Sequence, residues 1–155
     1  MARKMIDLLE TVLQALAGIC LALVFVLVTA QVLGRFVFNI SLATASELSI
    51  YAMIWAIFLG ATVAFRSKGH IAMSFFKDKA GKQAGRVISV FVVICLALFL
   101  GIIVLKGHDL ALRAMRQMSP AAGLPVGYVV MAMPICSALA LIFLLEELVD
   151  QFRKS

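Results

Sequence analysis

The sequence of residues 11–34 is TVLQALAGICLALVFVLVTAQVLG, a stretch of 24 residues without a charged side chain. At a helical rise of about 1.5 Å per residue, about 20 apolar residues cross the ~30 Å hydrocarbon core of a bilayer. Three more charge-free stretches follow, at residues 48–65, 87–105 and 117–145. The sequence therefore predicts an all-α membrane protein with four transmembrane helices.

The composition supports this fold class. Hydrophobic residues make up 64% of the 155 residues, with a mean hydropathy of +1.09, whereas soluble domains are about 45–50% apolar. We expect one four-span domain, with spans near residues 12–34, 47–65, 87–105 (or to 117) and 126–145. The net charge of +6 is explained by basic residues beside the spans, which favours contact with membrane lipid and not with nucleic acid.

The distribution of lysine and arginine predicts the orientation of the chain. The two terminal segments and the connection between spans two and three share one side and carry ten of these residues, against four on the other side. The positive-inside rule then places both termini in the cytoplasm, and we expect the inner membrane of a bacterium.

The connection between spans two and three has an amphipathic pattern. Ile71, Phe75 and Phe76 are followed by Lys77 and Lys79. This spacing predicts a short interfacial helix on the cytoplasmic side. The alternative is a basic loop that touches lipid occasionally.

The sequence contains no recognisable set of catalytic residues. The three cysteines lie in apolar stretches without metal-ligand spacing, and we interpret them as small hydrophobic side chains. His70 and His108 are predicted on opposite sides of the membrane, so they cannot ligate one haem. No hydrolase, metalloprotease or phosphate-binding motif is present. We predict a protein that is not an enzyme, with no catalytic residue, cofactor or metal site.

The spans also lack the ionisable residue that an ion-coupled carrier normally keeps within the membrane. Polar residues are instead found at the span boundaries. Arg35 and Glu47 face each other across one short outer turn, which predicts a structural ion pair. The alternative is that each side chain is separately solvated.

Small residues recur every four positions along the second span. They allow the backbone of another helix to approach closely, so this stripe is a predicted packing face for a neighbouring helix or a partner. Its members are Ala52, Ala56, Gly60 and Ala64.

Two further sets of polar residues flank the spans. The inner set consists of predicted interface anchors, or of contacts to a specific partner or lipid: Arg66, Lys68 and His70. The outer set is either a solvated rim or a docking surface for a soluble protein: Arg35, Lys106, Asp109, Arg113 and Arg116.

Several of these positions carry a family resemblance. The chain resembles the small membrane subunit of tripartite ATP-independent periplasmic (TRAP) transporters over about residues 35–134. The elements that match are Arg35-Phe36-Val37-Phe38-Asn39, Glu47, Trp55, Phe58-Leu59-Gly60-Ala61, Arg66, His70-Ile71, Pro125, Tyr128 and Met133-Pro134. The chain departs from the family pattern at Ala43 and Thr44, where a Trp is common, and at Met73 and Ser74, where an Asp is common.

The resemblance implies a division of labour within a sodium-coupled importer of organic acids. In that family a large permease subunit carries the substrate and sodium sites and moves as an elevator. A periplasmic binding protein delivers the substrate. The small subunit is then a non-catalytic scaffold that packs against the large one and shares in docking the binding protein.

Two other functions remain open from the sequence. The first is a self-sufficient small transporter or channel acting as a homo-oligomer, for which the spans offer only neutral polar groups such as Gln14, Gln31 and Thr62. The second is an accessory anchor subunit of a membrane redox complex. On the leading hypothesis, the residues that select the substrate lie in other chains.

Overall fold

The computed structural model describes residues 2–80 and 82–153, with side chains described at residue 4, residues 6–66, residues 91–146 and residue 148. The described chain is almost entirely helical. Its helices are α1 (Ala2–Val37), α2 (Ala43–Ala80), α3 (Lys82–Ala114), α4 (Gly127–Val130) and α5 (Ala132–Arg153).

Within the described residues, four helical segments are long and apolar enough to cross a membrane. They are Ile6–Val37, Ala43–Arg66, Phe91–Ala114 and Gly127–Glu146, the last made of α4 and α5 together. The prediction of an all-α chain with four membrane-spanning helices is confirmed by this architecture.

α1 ends in a tight turn that reverses the chain into α2. Asn39 has a φ of 53°, in the left-handed region that asparagine tolerates better than most residues. The N–H of Ile40 then donates to the carbonyl of Gly34 at 2.9 Å, which satisfies one of the carbonyls left free at a helix end. This turn lays α2 back against α1, its main neighbour.

The connection between spans two and three is helical on both sides. α2 continues to Ala80 and α3 starts at Lys82, so the helical backbone extends through the segment for which a separate short helix was predicted. The side chains of Ile71, Phe75 and Phe76 lie outside those that the structure describes. The amphipathic character of this segment therefore stays a prediction.

The fourth span is interrupted near its outer end. α4 stops at Val130 and α5 starts at Ala132. Pro134 has no N–H group, so the carbonyl of Val130 lacks its helical donor four residues later. This proline lies in the first turn of α5, directly after the break.

The connection between α3 and α4 is compact. α3 ends at Ala114, and an isolated antiparallel bridge pairs Met118 with Pro125. Gly123 turns the loop with a φ of +64°, where a side chain would be strained. The third helix thus extends beyond residue 105 and ends at Ala114, three residues before the further predicted limit at residue 117.

α2 and α5 form the centre of the bundle, with α1 beside α2 and α3 beside α5. One buried cluster joins α1, α2 and α5 through Leu13, Leu59, Cys136 and Phe143. A second joins α3 and α5 through Val93, Leu100, Ala140 and Leu144. Outside these contacts the helices expose large apolar side chains, as expected for surfaces that face lipid or a membrane partner.

Candidate functional site

The inner end of the bundle is built around Arg66 of α2. Its guanidinium forms ion pairs with Asp7 and Glu10 of α1, and its Nε lies 3.6 Å from an oxygen of Glu146 in α5. Nη1 also donates to the carbonyl of Ile6 at 3.3 Å. One half-buried side chain thus connects three helices at the cytoplasmic end that the charge distribution predicts.

We call Arg66, Asp7, Glu10 and Glu146 the inner cluster. The balance of charge in this cluster explains why the Arg66 side chain can be largely buried. Its side chain is only 16% exposed, and a cation at that depth is unfavourable without partners. Three carboxylates supply them, and the planar guanidinium can donate to several oxygens at once. Because one cation meets three anions, the cluster carries an excess of negative charge.

The outer end is built around Glu47, near the start of α2. Its carboxylate accepts hydrogen bonds from the backbone N–H groups of Ala121 and Ala122, at 3.1 Å and 2.7 Å, and from the hydroxyl of Ser119. Thr44 donates to the carbonyl of Ala121 at 3.1 Å. We call Glu47 and residues 119–122 the outer clasp, because they hold the α3–α4 loop on the end of α2.

The predicted ion pair between Arg35 and Glu47 is not present in the described part of the chain. The Glu47 carboxylate is directed at the outer clasp, and the ion pairs among described side chains all involve Arg66. Arg35 is exposed at the end of α1. The physical reason is that backbone N–H groups of a fixed loop are already positioned for the carboxylate, whereas an exposed arginine loses side-chain entropy when it pairs.

The small-residue stripe of α2 is used partly inside the chain. Ala52 and Ala56 are buried in the bundle. Gly60 and Ala64 are half-buried, and a Cβ atom added at Gly60 would meet nothing within 4 Å. The role of this stripe as a partner face stays a prediction.

The other inner anchors, Lys68 and His70, lie outside the described side chains. Their predicted contact with lipid headgroups or a partner therefore stays a prediction. Arg66 itself differs from a lipid anchor, because its guanidinium is directed at the carboxylates of the inner cluster.

Two hydrogen bonds fix the position of α2 along the long axis of the bundle, relative to α4 and α5. We call this position along the axis the height of a residue. Trp55 Nε1 donates to the carbonyl of Tyr128 at 3.2 Å, and the Thr62 hydroxyl lies 3.2 Å from the carbonyl of Cys136. Both α2 residues lie inside the charge-free stretch 48–65, Trp55 seven residues from its outer end and Thr62 three residues from its inner end. The middle of that stretch is therefore level with residues between 128 and 136.

α3 has charged residues at this same height. A Cβ at Gly107 would lie 3.3 Å from Met133 and 3.4 Å from Pro134, two residues between the markers at 128 and 136. Lys106 and Asp109 are neighbours of Gly107 along the helix, so they are level with the middle of the α2 charge-free stretch. Because α3 is shifted along the bundle axis relative to α2, Lys106 and Asp109 lie much further from the outer end of the bundle than the sequence predicted.

The structure therefore divides the five predicted docking residues. Arg35 and Arg116 lie beside the loops at the outer end. Lys106 and Asp109 are level with the part of α2 between Trp55 and Thr62, which at about 1.5 Å per residue lies roughly 12 to 22 Å further from the outer end than Glu47. Arg113 is intermediate, two residues from Ala111, whose carbonyl would be 2.8 Å from a Cβ at Gly127. All five side chains are exposed.

Sequence reasoning missed the partners of both clusters. Asp7, Glu10, Glu146 and Ser119 were not among the predicted site residues. The signal available was the presence of acidic residues at the inner ends of the first and fourth spans, which requires a neighbouring cation. The backbone N–H groups that bind Glu47 leave no trace in the sequence.

The helices and their polar clusters define a multi-pass membrane protein whose chain is held together at both ends by charged groups. The family model described as "Tripartite ATP-independent periplasmic transporters, DctQ component" matches residues 24–154. The chain belongs to this family, and the resemblance read from its motifs is confirmed.

A relative from Haemophilus influenzae agrees with this assignment. The two sequences are 27% identical over 151 residues, which cover 97% of this chain and 93% of the relative, and the relative is named as a TRAP transporter small permease protein. Family membership makes the chain a small permease subunit of a transporter with other TRAP components, and it argues against an anchor of a redox complex.

Proposed function

We propose that this subunit is a non-catalytic scaffold for a sodium-coupled importer of organic acids in the bacterial inner membrane. In this proposal it packs against the large permease subunit, which carries the substrate and sodium sites. The family resemblance is the basis for sodium coupling, for an organic acid as the cargo and for the inner-membrane location. It is also the basis for the contact with the large subunit.

The observation that supports a scaffold best is the way both ends of the bundle are fixed. The inner cluster ties α1, α2 and α5 through Arg66, and the outer clasp ties α2 to the α3–α4 loop through Glu47. Charged groups that are satisfied by their own chain resist rearrangement, because separating them leaves an unpaired charge in a poorly solvated place. A bundle of this kind suits a fixed neighbour for a moving subunit.

The neutral polar groups of the bundle centre support the same proposal. The Thr62 hydroxyl lies 2.9 Å from the carbonyl of Phe58 in its own helix and 3.2 Å from that of Cys136. The Ser49 hydroxyl donates to the carbonyl of Ser46 at 2.7 Å and accepts from Gln31 at 3.4 Å. These neutral groups are occupied with packing helices together, so they do not form the neutral polar pathway that a self-sufficient transporter would need.

The same proposal includes an orientation and an outer docking surface. We propose that both termini are cytoplasmic, on the basis of the distribution of lysine and arginine. The inner cluster is then cytoplasmic and the outer clasp periplasmic. Arg35 and Arg116 are exposed beside the clasp, so they are our candidates for contact with the periplasmic binding protein.

The test of the scaffold is reconstitution with and without this chain. Liposomes that contain the large permease subunit and this subunit should take up substrate when the binding protein and a sodium gradient are supplied. The large subunit alone should transport at a small fraction of that rate. Full transport without this chain would refute the scaffold, and uptake by this chain alone would support the self-sufficient transporter.

A further inference from the structure

The outer half of α3 has one face that is exposed in the described part of the chain. Residues spaced three and four apart lie on one side of a helix. We call this face the α3 stripe, and it is formed by Ile102, Leu105, Lys106, Asp109 and Arg113, all exposed or half-buried. The opposite face packs inside the chain through Gly107, Ala111 and Ala114.

The charges of the α3 stripe have no partner within the described part of the chain. The ion pairs found there are those of Arg66, and the hydrogen bonds between described side chains involve neither Lys106, Asp109 nor Arg113. Asp109 and Arg113 are placed four residues apart, where they could pair, yet both remain exposed and unpaired. Even if they paired, one cation of the stripe would remain.

The depth of these charges makes exposure to lipid unfavourable. Lys106 and Asp109 are level with the middle of the α2 charge-free stretch, between Trp55 and Thr62. Charged side chains at such a depth normally face a protein partner or a water-filled cavity. Leu105, next to Lys106, is 70% exposed, and Ile102, about one turn further towards the inner end, is 60% exposed, so the stripe combines a lipid-like surface with charge.

We propose that the α3 stripe is the surface through which this chain binds the other membrane-embedded subunit of the transporter. The partner surface is apolar and has a carboxylate placed against Lys106 and Arg113, because two cations and one anion leave the stripe with a net positive charge. This inference rests on the proposed function and adds to it the face and the chemistry of the contact.

Co-purification with the large permease subunit tests this inference. The variant is Lys106→Glu with Arg113→Glu, and the matched control is Arg35→Glu with Arg116→Glu, which changes the charge equally at the outer rim. We expect the variant to recover the large subunit about tenfold less well, because reversed charges at a desolvated contact repel their partners. The control should stay within about twofold of the wild type, since exposed charges contribute little.

Two measurements separate a lost contact from a misfolded chain. The isolated double variant should unfold at the wild-type temperature in detergent, because Lys106 and Arg113 have no ion-pair or hydrogen-bond partner among the described side chains. The conservative change Lys106→Arg with Arg113→Lys should restore recovery of the large subunit to within about threefold of the wild type. Recovery that stays low in the conservative variant, or a variant that recovers as much large subunit as the control does, would overturn the inference.

Photo-cross-linking identifies the occupant directly. A benzophenone amino acid placed at Asp109 or Leu105 in the assembled transporter should form an adduct with the large subunit. Adducts with phospholipid alone, or with a second copy of this chain alone, would overturn the inference. A wild-type chain that fails to recover the large subunit at all contradicts the proposed function as well, so the two failures are distinguishable.

Discussion

The guanidinium of Arg66 lies over the ring of Phe143, with its Cζ atom 5.6 Å from the ring centroid. The ring belongs to α5 and the guanidinium to α2, so this contact adds to the ion pair that Arg66 makes with Glu146 of the same helix. A cation over an aromatic face gains more where water is excluded. The inner cluster therefore joins apolar packing with charge, and its energetics can be tested residue by residue.

Arg66→Ala should lower the free energy of unfolding by about 3 kcal/mol, because three carboxylates lose their shared half-buried cation. Arg66→Lys should recover about half of the loss, since an ammonium keeps the charge but cannot donate in several fixed directions. The measurement is denaturant unfolding of the purified chain in detergent micelles. If Arg66→Lys lost as much unfolding free energy as Arg66→Ala, the positive charge by itself would contribute nothing to the inner cluster.

Glu47→Gln should destabilise the outer clasp by about 2 kcal/mol, because hydrogen bonds to a charged acceptor contribute about 1.5–3 kcal/mol. The readout is hydrogen exchange of the amides of Ala121 and Ala122, which should become faster in the variant. Arg35→Gln is the control, as the Arg35 side chain makes no hydrogen bond or ion pair with the clasp in the described structure. Slow exchange that persists in Glu47→Gln would contradict the assignment of the carboxylate as the acceptor.

Gly127→Ala should destabilise the chain by about 1–3 kcal/mol through overpacking. A Cβ at this position would lie 2.6 Å from Met115 and 2.8 Å from the carbonyl of Ala111, so either a side chain or the backbone of α3 must move. Gly101→Ala is the matched control, because a Cβ there meets nothing within 4 Å. Thermal unfolding in detergent compares the two, and an unchanged transition for Gly127→Ala would refute the close packing of α3 on α4.

Thr62→Val should cost about 1 kcal/mol, the usual size of a side-chain hydrogen bond between membrane helices. The change keeps the shape of the side chain and removes the donor that reaches the carbonyl of Cys136. Ala61→Ser on the neighbouring exposed position is a control for polarity without a contact. Denaturant unfolding measures both, and a loss below about 0.3 kcal/mol for Thr62→Val would mean that the bond contributes nothing.

Local patterns were sufficient for the helices and insufficient for their partners. Charge-free stretches predicted each span because hydropathy is a property of neighbouring residues. The pairing of Arg35 with Glu47 was inferred from their closeness along the chain. It was wrong because a loop more than 70 residues later supplies better donors.

The amino-acid sequence was enough to establish the class of this protein, through its four apolar helices and the motifs of a TRAP small permease subunit. Tertiary structure decided which charges meet, with Arg66 among three carboxylates and Glu47 on backbone N–H groups, and how deep Lys106 and Asp109 lie. The physical reason is that transfer into lipid depends on each segment alone. The partner and the height of a charged side chain depend on how the helices slide against one another, and that is set by packing between segments far apart in the chain.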